Sequence, residues 1–201
     1  MKLRALIIIT ALALPSIAIA DSTTKTTSSD KAAKLSADDT KIVAHLHHVN
    51  QTETDLGKWG QKSGTATIKS YCDTLVADHT SSDKDLTAFA KKHGVSSIPA
   101  DKAMTDADRQ ADKDMTIGVA HLKTLKGADF DKEFLTMMAS GHDKELAKID
   151  VSIGAATDPD LQAMLKTVKP VLQRHADQAR DLQKNGPQAS ATQGSSPTGA
   201  R

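Results

Sequence analysis

PDLQAMLKTVKPVLQRHADQARDLQK, residues 159–184, repeats its core-type side chains at intervals of three and four residues. The stripe consists of Leu161, Leu165, Val168, Leu172, His175, Ala179 and Leu182. This spacing places every member on one face of an α-helix. Such a helix is stable in water when it buries that face against other helices, so the stretch predicts a helical bundle. One member of the stripe, His175, is polar.

Four further segments have the same periodicity, and breakers and capping signals separate them. The predicted helices span residues 37–63, 66–93, 106–126, 130–156 and 159–184. The predicted N-terminal caps are Ser36 with Asp39, Thr65, Thr105 with Asp108, Asp129, and Asp158 before Pro159. Alternation at period two is absent, so the predicted class is all-α.

The stripes of the other four helices can be read in the same way. They are Ile42, Leu46, Val49, Glu53 and Leu56; Ile68, Cys72, Leu75, His79, Leu86 and Ala90; Ala111, Met115, Val119 and Leu122; and Phe134, Met138, His142, Leu146, Ile149 and Ile153. A metal-capable side chain interrupts the stripes of the four long helices near the middle. Five glycines also lie inside helices, and each costs about 1 kcal/mol unless it lets two helices approach closely. These glycines are Gly57, Gly60, Gly118, Gly141 and Gly154.

The connections predict an up-down bundle of two antiparallel hairpins with a shorter bridging helix. Helices one and two are separated by about two residues, as are helices four and five, so each pair should fold back on itself. Glu53 and His79 lie at similar distances from the first tight turn, as do His142 and His175 from the second. At about 1.5 Å per residue the members of each pair agree in height to within about 6 Å. We therefore expect all four in one layer.

The order of several short motifs resembles that of an exported bacterial family, the domain of unknown function 4142. The fragments are Glu53-Thr-Asp55-Leu56-Gly57, Asp78-His79-Thr80 with Asp85-Leu86, Phe130-Asp131 leading through Met137-Met138 to His142, and Asp158-Pro159-Asp160-Leu161 followed by Pro170 and His175. The resemblance covers about residues 38–184. It implies export and a ferritin-like helical bundle, and it implies no established activity. Gly141 stands where the family usually has an acidic residue.

The four polar stripe residues, Glu53, His79, His142 and His175, form the predicted site. Three imidazoles and a carboxylate suit one transition-metal ion: zinc, copper, nickel or iron. Ferritin-like di-iron sites place a glutamate three residues before a histidine, and here those positions hold Val76, Ala139 and Leu172. The alternative is that the histidines are structural and hydrogen-bonded, in a non-enzymatic envelope protein for protein interaction or stress tolerance.

Other polar residues of the helices give weaker signals. No hydrolase motif is present, and whether the chain is an enzyme stays open, with the balance against it. His45 and His48 are three residues apart and could hold a surface ion, although a solvated face is the favoured interpretation. Asp78 points about 100° away from His79, so no dyad is expected, and it should be solvated or contact another helix. Cys72 should be a small core residue.

The two ends predict export and loose termini. Lys2 and Arg4 precede an apolar run and the small residues Ala18-Ile19-Ala20, so residues 1–20 should be a signal peptide, with a periplasmic or secreted product. Residues 21–36 and 185–201 should be a disordered spacer and tail. Without Lys2 and Arg4, the 26 basic and 25 acidic residues become 24 and 25. This balance predicts no nucleic-acid partner, and no membrane span is expected after cleavage. A metal ion or an envelope protein remains as partner.

Overall fold

Five helices account for almost all of the residues that the structure describes. The computed structural model describes residues 33–103 and 105–186. The helices are α1 (Ala37–Ser63), α2 (Ala66–Lys92), α3 (Asp106–Leu122), α4 (Gly127–Ala155) and α5 (Pro159–Asn185). No strand occurs within those two ranges. The predicted all-α class is confirmed.

Two antiparallel hairpins make up the bundle. α1 packs mainly on α2, and α4 mainly on α5, across connections of two and three residues. Smaller interfaces join α1 to α4 and α2 to α5. The short helix α3 contacts α4 and bridges the hairpins along the chain. Short connections between long amphipathic helices produce this arrangement, as expected.

Most predicted helix starts are correct because their capping side chains bind the free backbone N–H groups. The side chains of four N-cap residues accept such bonds: Ser36, Thr65, Thr105 and Asp158. The prediction for α4 was wrong, because Asp129 lies in its first turn and the N-cap is Lys126, which makes no side-chain capping bond. Gly127 has a φ of 61°, and this left-handed conformation lets the chain turn into α4 earlier than predicted.

The predicted stripe of α3 was also largely wrong. α3 ends at Leu122 rather than at residue 126, and Leu122 is its only buried residue. Met115 is exposed, and Ile117, outside the stripe, is 66% exposed. The main partner of α3 is α4, and its inner face consists of Leu122 and the half-buried Val119, so most of its surface faces solvent.

The core consists of two apolar clusters, one at each end of the bundle. One contains Val43, Leu46, Leu86, Phe89, Leu146, Ile149, Leu161, Leu165 and Leu172 among others. The other contains Leu56, Ile68, Tyr71, Cys72, Leu75, Phe130, Phe134, Met138 and Ala179 among others. On each long helix the predicted polar residue lies in sequence between members of the two clusters. A buried polar layer therefore separates the two apolar clusters.

Close approach of α1 to its neighbours depends on Gly57 and Gly60. A Cβ atom on Gly60 would lie 2.4 Å from Cys72 Sγ and 3.2 Å from Phe134 Cζ. At Gly57 it would lie 2.8 Å from a methyl group of Val76. By contrast, a Cβ on Gly141 would meet nothing within 4 Å, and the same holds for Gly154. Only part of the predicted glycine set therefore serves helix packing.

The edges of the bundle differ slightly from the predicted domain limits. Leu35 is buried in the first cluster and Ser36 caps α1, so residues 33–36 join the bundle rather than the spacer. The predicted signal peptide, the remainder of the spacer and residues 187–201 of the tail lie outside the described residues. Within the described ranges, no helix has both the length and the hydropathy needed to cross a bilayer.

Candidate metal centre

Three histidines from three helices meet in the buried polar layer. His79 on α2, His142 on α4 and His175 on α5 are 3%, 1% and 0% exposed. The centroid of the His175 ring lies 5.2 Å from those of His79 and His142, and the latter two are 5.9 Å apart. One ring nitrogen from each histidine lies within 4.8 Å of the other two. The layer anticipated from helix heights thus brings the three imidazoles together.

Hydrogen bonds fix the protonated nitrogen of two of these rings. His142 Nδ1–H donates to the backbone oxygen of Met138, at 2.8 Å, one turn earlier on the same helix. His79 Nδ1–H donates to Asn50 Oδ1 on α1, at 3.0 Å. The Asn50 amide is itself oriented because its Nδ2 donates to Ser82 Oγ at 3.2 Å. A neutral imidazole carries one proton, so the Nε2 atoms of both rings keep their lone pairs.

The third ring is held by a carboxylate. His175 Nε2 lies 2.8 Å from Asp78 Oδ2, which also accepts a bond from Arg174 at 2.7 Å. Burial opposes ionisation of Asp78, yet these bonds lower its pKa below the ordinary value, so it is an anion that only accepts. His175 therefore carries its proton on Nε2 and leaves Nδ1 free.

When all three rings are neutral, the three inward-facing nitrogens carry no proton. His175 Nδ1 lies 3.3 Å from His142 Nε2, and His79 Nε2 is buried with no hydrogen-bond partner. With His142 neutral, two lone pairs face each other at that separation and repel, and the buried acceptor on His79 has no donor, which is costly. A cation placed among the three nitrogens would relieve both defects. The outward N–H of each ring is already bound, which is the usual arrangement around metal-ligating histidines.

Burial keeps His79 and His175 neutral. It lowers the pKa of His79 from 6.5 to about 3, and the nearby rings of His142 and His175 lower it further. Burial also lowers the pKa of His175 to about 4, although its bond to Asp78 works in the opposite direction. Protonation of either of these two rings is therefore unfavourable near neutral pH, because burial penalises the charged form.

Glu53 lies in the same buried layer but stands apart from the three nitrogens. Its side chain is 8% exposed in total, and its Oε2 atom is buried without a partner. Its carboxylate is not among the ligand atoms that lie within 4.8 Å of one another. Burial raises the pKa of Glu53, a positive charge on His142 opposes that shift when His142 is protonated, and the charge of Glu145 reinforces it. Glu53, the acidic residue of the predicted site, therefore lies near His142 but outside the cluster of three histidine nitrogens.

Sequence reasoning missed the residues that orient the rings. Asn50 lies on the core side of α1, three residues before Glu53, and that spacing was the available signal. Asp78 was expected to be solvated or to contact another helix, and it contacts α5 through His175.

The favoured interpretation of His45 and His48 as a solvated face is wrong for His45, whose two ring nitrogens already have partners. His45 is half-buried, with Nδ1 2.8 Å from Asp101 Oδ2 and Nε2 3.0 Å from Glu145 Oε2. Although burial opposes its charge, these two carboxylates raise the pKa of His45. His48 is exposed. His45 therefore links α1, the α2–α3 connection and α4 instead of offering a ligand.

A second group of metal-capable side chains has structural roles. His93, Asp158 and Asp160 bring ligand atoms within 4.8 Å of one another. His93 Nδ1 donates to the backbone oxygen of Ala33, and Asp158 caps α5. Asp160 forms an exposed ion pair with Lys92. These bonds join the start of the bundle to the start of α5.

Comparison with known proteins agrees with the sequence resemblance. Residues 24–182 match the sequence pattern of the family described as "Domain of unknown function (DUF4142)". The chain belongs to this family. Among solved structures, "Crystal structure of DUF305 fragment from Deinococcus radiodurans" is similar, with a TM-score of 0.64 and 15% identity over 75% of this chain and 98% of that one. At that identity the likeness shows the helical fold alone. No curated protein matches the sequence.

Proposed function

We propose that this member of the family binds one divalent transition-metal ion in its core. The ligands are His79 Nε2, His142 Nε2 and His175 Nδ1, and Glu53 supplies the fourth ligand and a negative charge. The observation that supports this most is the orientation of the rings, since each binds an acceptor on its outer side and directs a lone pair inward. Glu53 has an unpartnered buried oxygen near His142 and would join by a side-chain movement.

The ligand set narrows the class of ion. Three neutral imidazoles and one carboxylate suit zinc, copper(II), nickel or ferrous iron, and they do not suit calcium or magnesium, which prefer oxygen ligands. Such an ion would supply Lewis acidity or, for copper and iron, redox chemistry. Cys72 belongs to the apolar cluster on one side of the layer and is not one of the ligands. The glutamate-to-histidine spacing of di-iron sites is absent, so a single ion is proposed.

Metal-dependent thermal stabilisation tests this proposal. An ion at about 100 times its Kd adds about 2.7 kcal/mol to the free energy of unfolding, which raises Tm by about 5–10 °C for a domain of this size. We expect this shift in the wild type, none in His142→Gln or His175→Gln, and the full shift in His121→Gln, which alters an exposed histidine of α3. An unchanged Tm with every first-row metal would reject the proposal. Elemental analysis of protein purified from its native compartment would identify the ion.

We also propose that the protein is exported to the periplasm or secreted. Lys2 and Arg4 before the apolar run, and Ala18-Ile19-Ala20 at its end, support this. N-terminal sequencing of protein recovered from the cell envelope should then begin at Asp21. A mature chain that still starts at Met1 would contradict it.

The alternative function, a contact with another envelope protein, has one supporting observation. Met115 and Ile117 leave apolar surface of α3 exposed to solvent. Under this alternative, Ile117→Ser would abolish binding of the partner while leaving metal-dependent stabilisation unchanged. If the metal centre is the function, His142→Gln would abolish metal-dependent stabilisation and leave binding of the partner unchanged.

A further inference from the structure

A cleft of about 250 Å³ reaches the histidine layer from the surface between α2 and α5. His79 and its partner Asn50 line this cleft, and so does Asp78, which holds His175. His142 and His175 do not line it. Of the three rings, His79 is thus the one that an incoming group would meet first, and its Nε2 atom is the buried acceptor without a partner.

The two walls of the cleft differ in chemistry. The α2 wall carries carboxylates and hydroxyls, represented by Asp78, Asp85 and Ser82, whereas the α5 wall includes Val168 and Leu172. The lining contains no lysine or arginine, although Arg174 next to it neutralises part of the charge of Asp78. An acidic wall facing an apolar wall concentrates the field of the carboxylates inside the cleft. The cleft therefore favours small cations.

We propose that this cleft is the access route by which a hydrated divalent metal ion reaches His79 and then the other two rings. This inference rests on the proposed function. Six waters at about 30 Å³ each fill about 180 Å³, so a hydrated ion fits the cleft. An ion held by a carrier protein or a bulky chelator does not fit. The hydrogen bond between Asn50 and Ser82 joins α1 to α2 at this wall. Passage of the ion therefore requires this hydrogen bond to break.

Stopped-flow binding of Co²⁺ alone to the metal-free full chain tests the route, because its visible absorption changes when nitrogen ligands replace water. Thr167 lines the cleft, is exposed and donates its hydroxyl to the backbone oxygen of Ala163, so Thr167→Trp narrows the opening. A blocked route slows association and dissociation by the same factor, about tenfold, and leaves Kd unchanged. Thr116→Trp, on the exposed surface of α3, is the matched control and should bind at the wild-type rate.

Asp85→Asn provides a second variant that leaves the shape of the cleft unchanged. Removing one carboxylate near the route should slow association by about fivefold at low ionic strength, and added salt should abolish the difference. Wild-type association rates in both Thr167→Trp and Asp85→Asn would overturn the access route and leave the metal site intact. Failure of the wild type itself to develop Co²⁺–nitrogen absorption would overturn the route together with the proposed function.

Discussion

Acid should destabilise the metal-free protein through its buried histidines. The pKa of His79 is about 3 and that of His175 about 4, against 6.5 for an ordinary histidine. When the folded-state pKa is depressed, the unfolded chain takes up its proton first, so unfolding is favoured as pH falls. The stability that depends on neutral rings is complete above about pH 6.5. It is lost progressively as pH falls from there through the folded-state values.

The magnitude is best taken from a single ring. In this window one depressed histidine contributes about 1.4 kcal/mol per pH unit, so His79 alone removes about 2 kcal/mol between about pH 6.5 and about pH 5. Two other groups follow different signs. The raised pKa of His45 stabilises the folded state below about pH 6.5, and this stability is lost as pH rises above that value. The raised pKa of Glu53 stabilises the folded state as pH falls. A comparison of the wild type with His79→Gln cancels both.

Urea unfolding of chelator-treated protein at about pH 7 and about pH 5 measures this difference. Between the two pH values, His79→Gln should lose about 2 kcal/mol less unfolding free energy than the wild type. His121→Gln, which changes an exposed ring, should lose as much as the wild type. An equal loss in wild type and His79→Gln would refute the assignment of a strongly depressed pKa to the central ring.

Three further outcomes follow from the contacts described above. Asp78→Asn should weaken metal binding by about 10- to 100-fold in a competition titration, because the carboxylate that orients His175 is lost. The control Asp143→Asn removes an exposed ion pair with Arg180 and should leave metal binding unchanged. Gly60→Ala should destabilise by about 1–3 kcal/mol in urea unfolding and Gly141→Ala should stabilise by about 1 kcal/mol, and equal effects would contradict the packing argument. Cys72, buried and with a pKa raised to about 12, should react with a thiol reagent at about pH 8 only after unfolding, and rapid labelling of the folded protein would disprove its burial.

The bundle was predictable because its information is local. Periodic stripes identify the helices, and the tight connections at residues 64–65 and 156–158 leave little choice but antiparallel hairpins. The interpretation failed where the outcome depended on neighbours. The stripe of α3 has the same pattern as the others, yet Leu122 is its only buried residue and α4 is its main partner. Gly60 and Gly141 both lie inside predicted helices, and the sequence does not distinguish their roles. Only Gly60 lies close to a neighbouring helix.

The candidate site was predictable to the level of helix height. Counting residues from the turns brought His79, His142 and His175 to one layer, because rise per residue is nearly constant. It could not give the partners of the rings. Whether Asp78 meets α5, and which side of Asn50 faces His79, depends on the rotation of each helix about its axis and on side-chain torsions. Small differences in rotation also decide that Glu53 lies outside the cluster.

The depressed pKa values of two histidines affect both the acid stability of the metal-free fold and the proposed binding of a metal ion. An ordinary imidazole near pH 6.5 must release a proton before it can bind a metal, so its affinity falls in mild acid. His79, with a pKa of about 3, and His175, with a pKa of about 4, stay mostly neutral down to about pH 5. Proton competition at these two ligands is therefore small over the range in which exposed histidines lose their metals. The burial that weakens the metal-free fold in acid is thus the property that keeps the nitrogens ready for a metal ion.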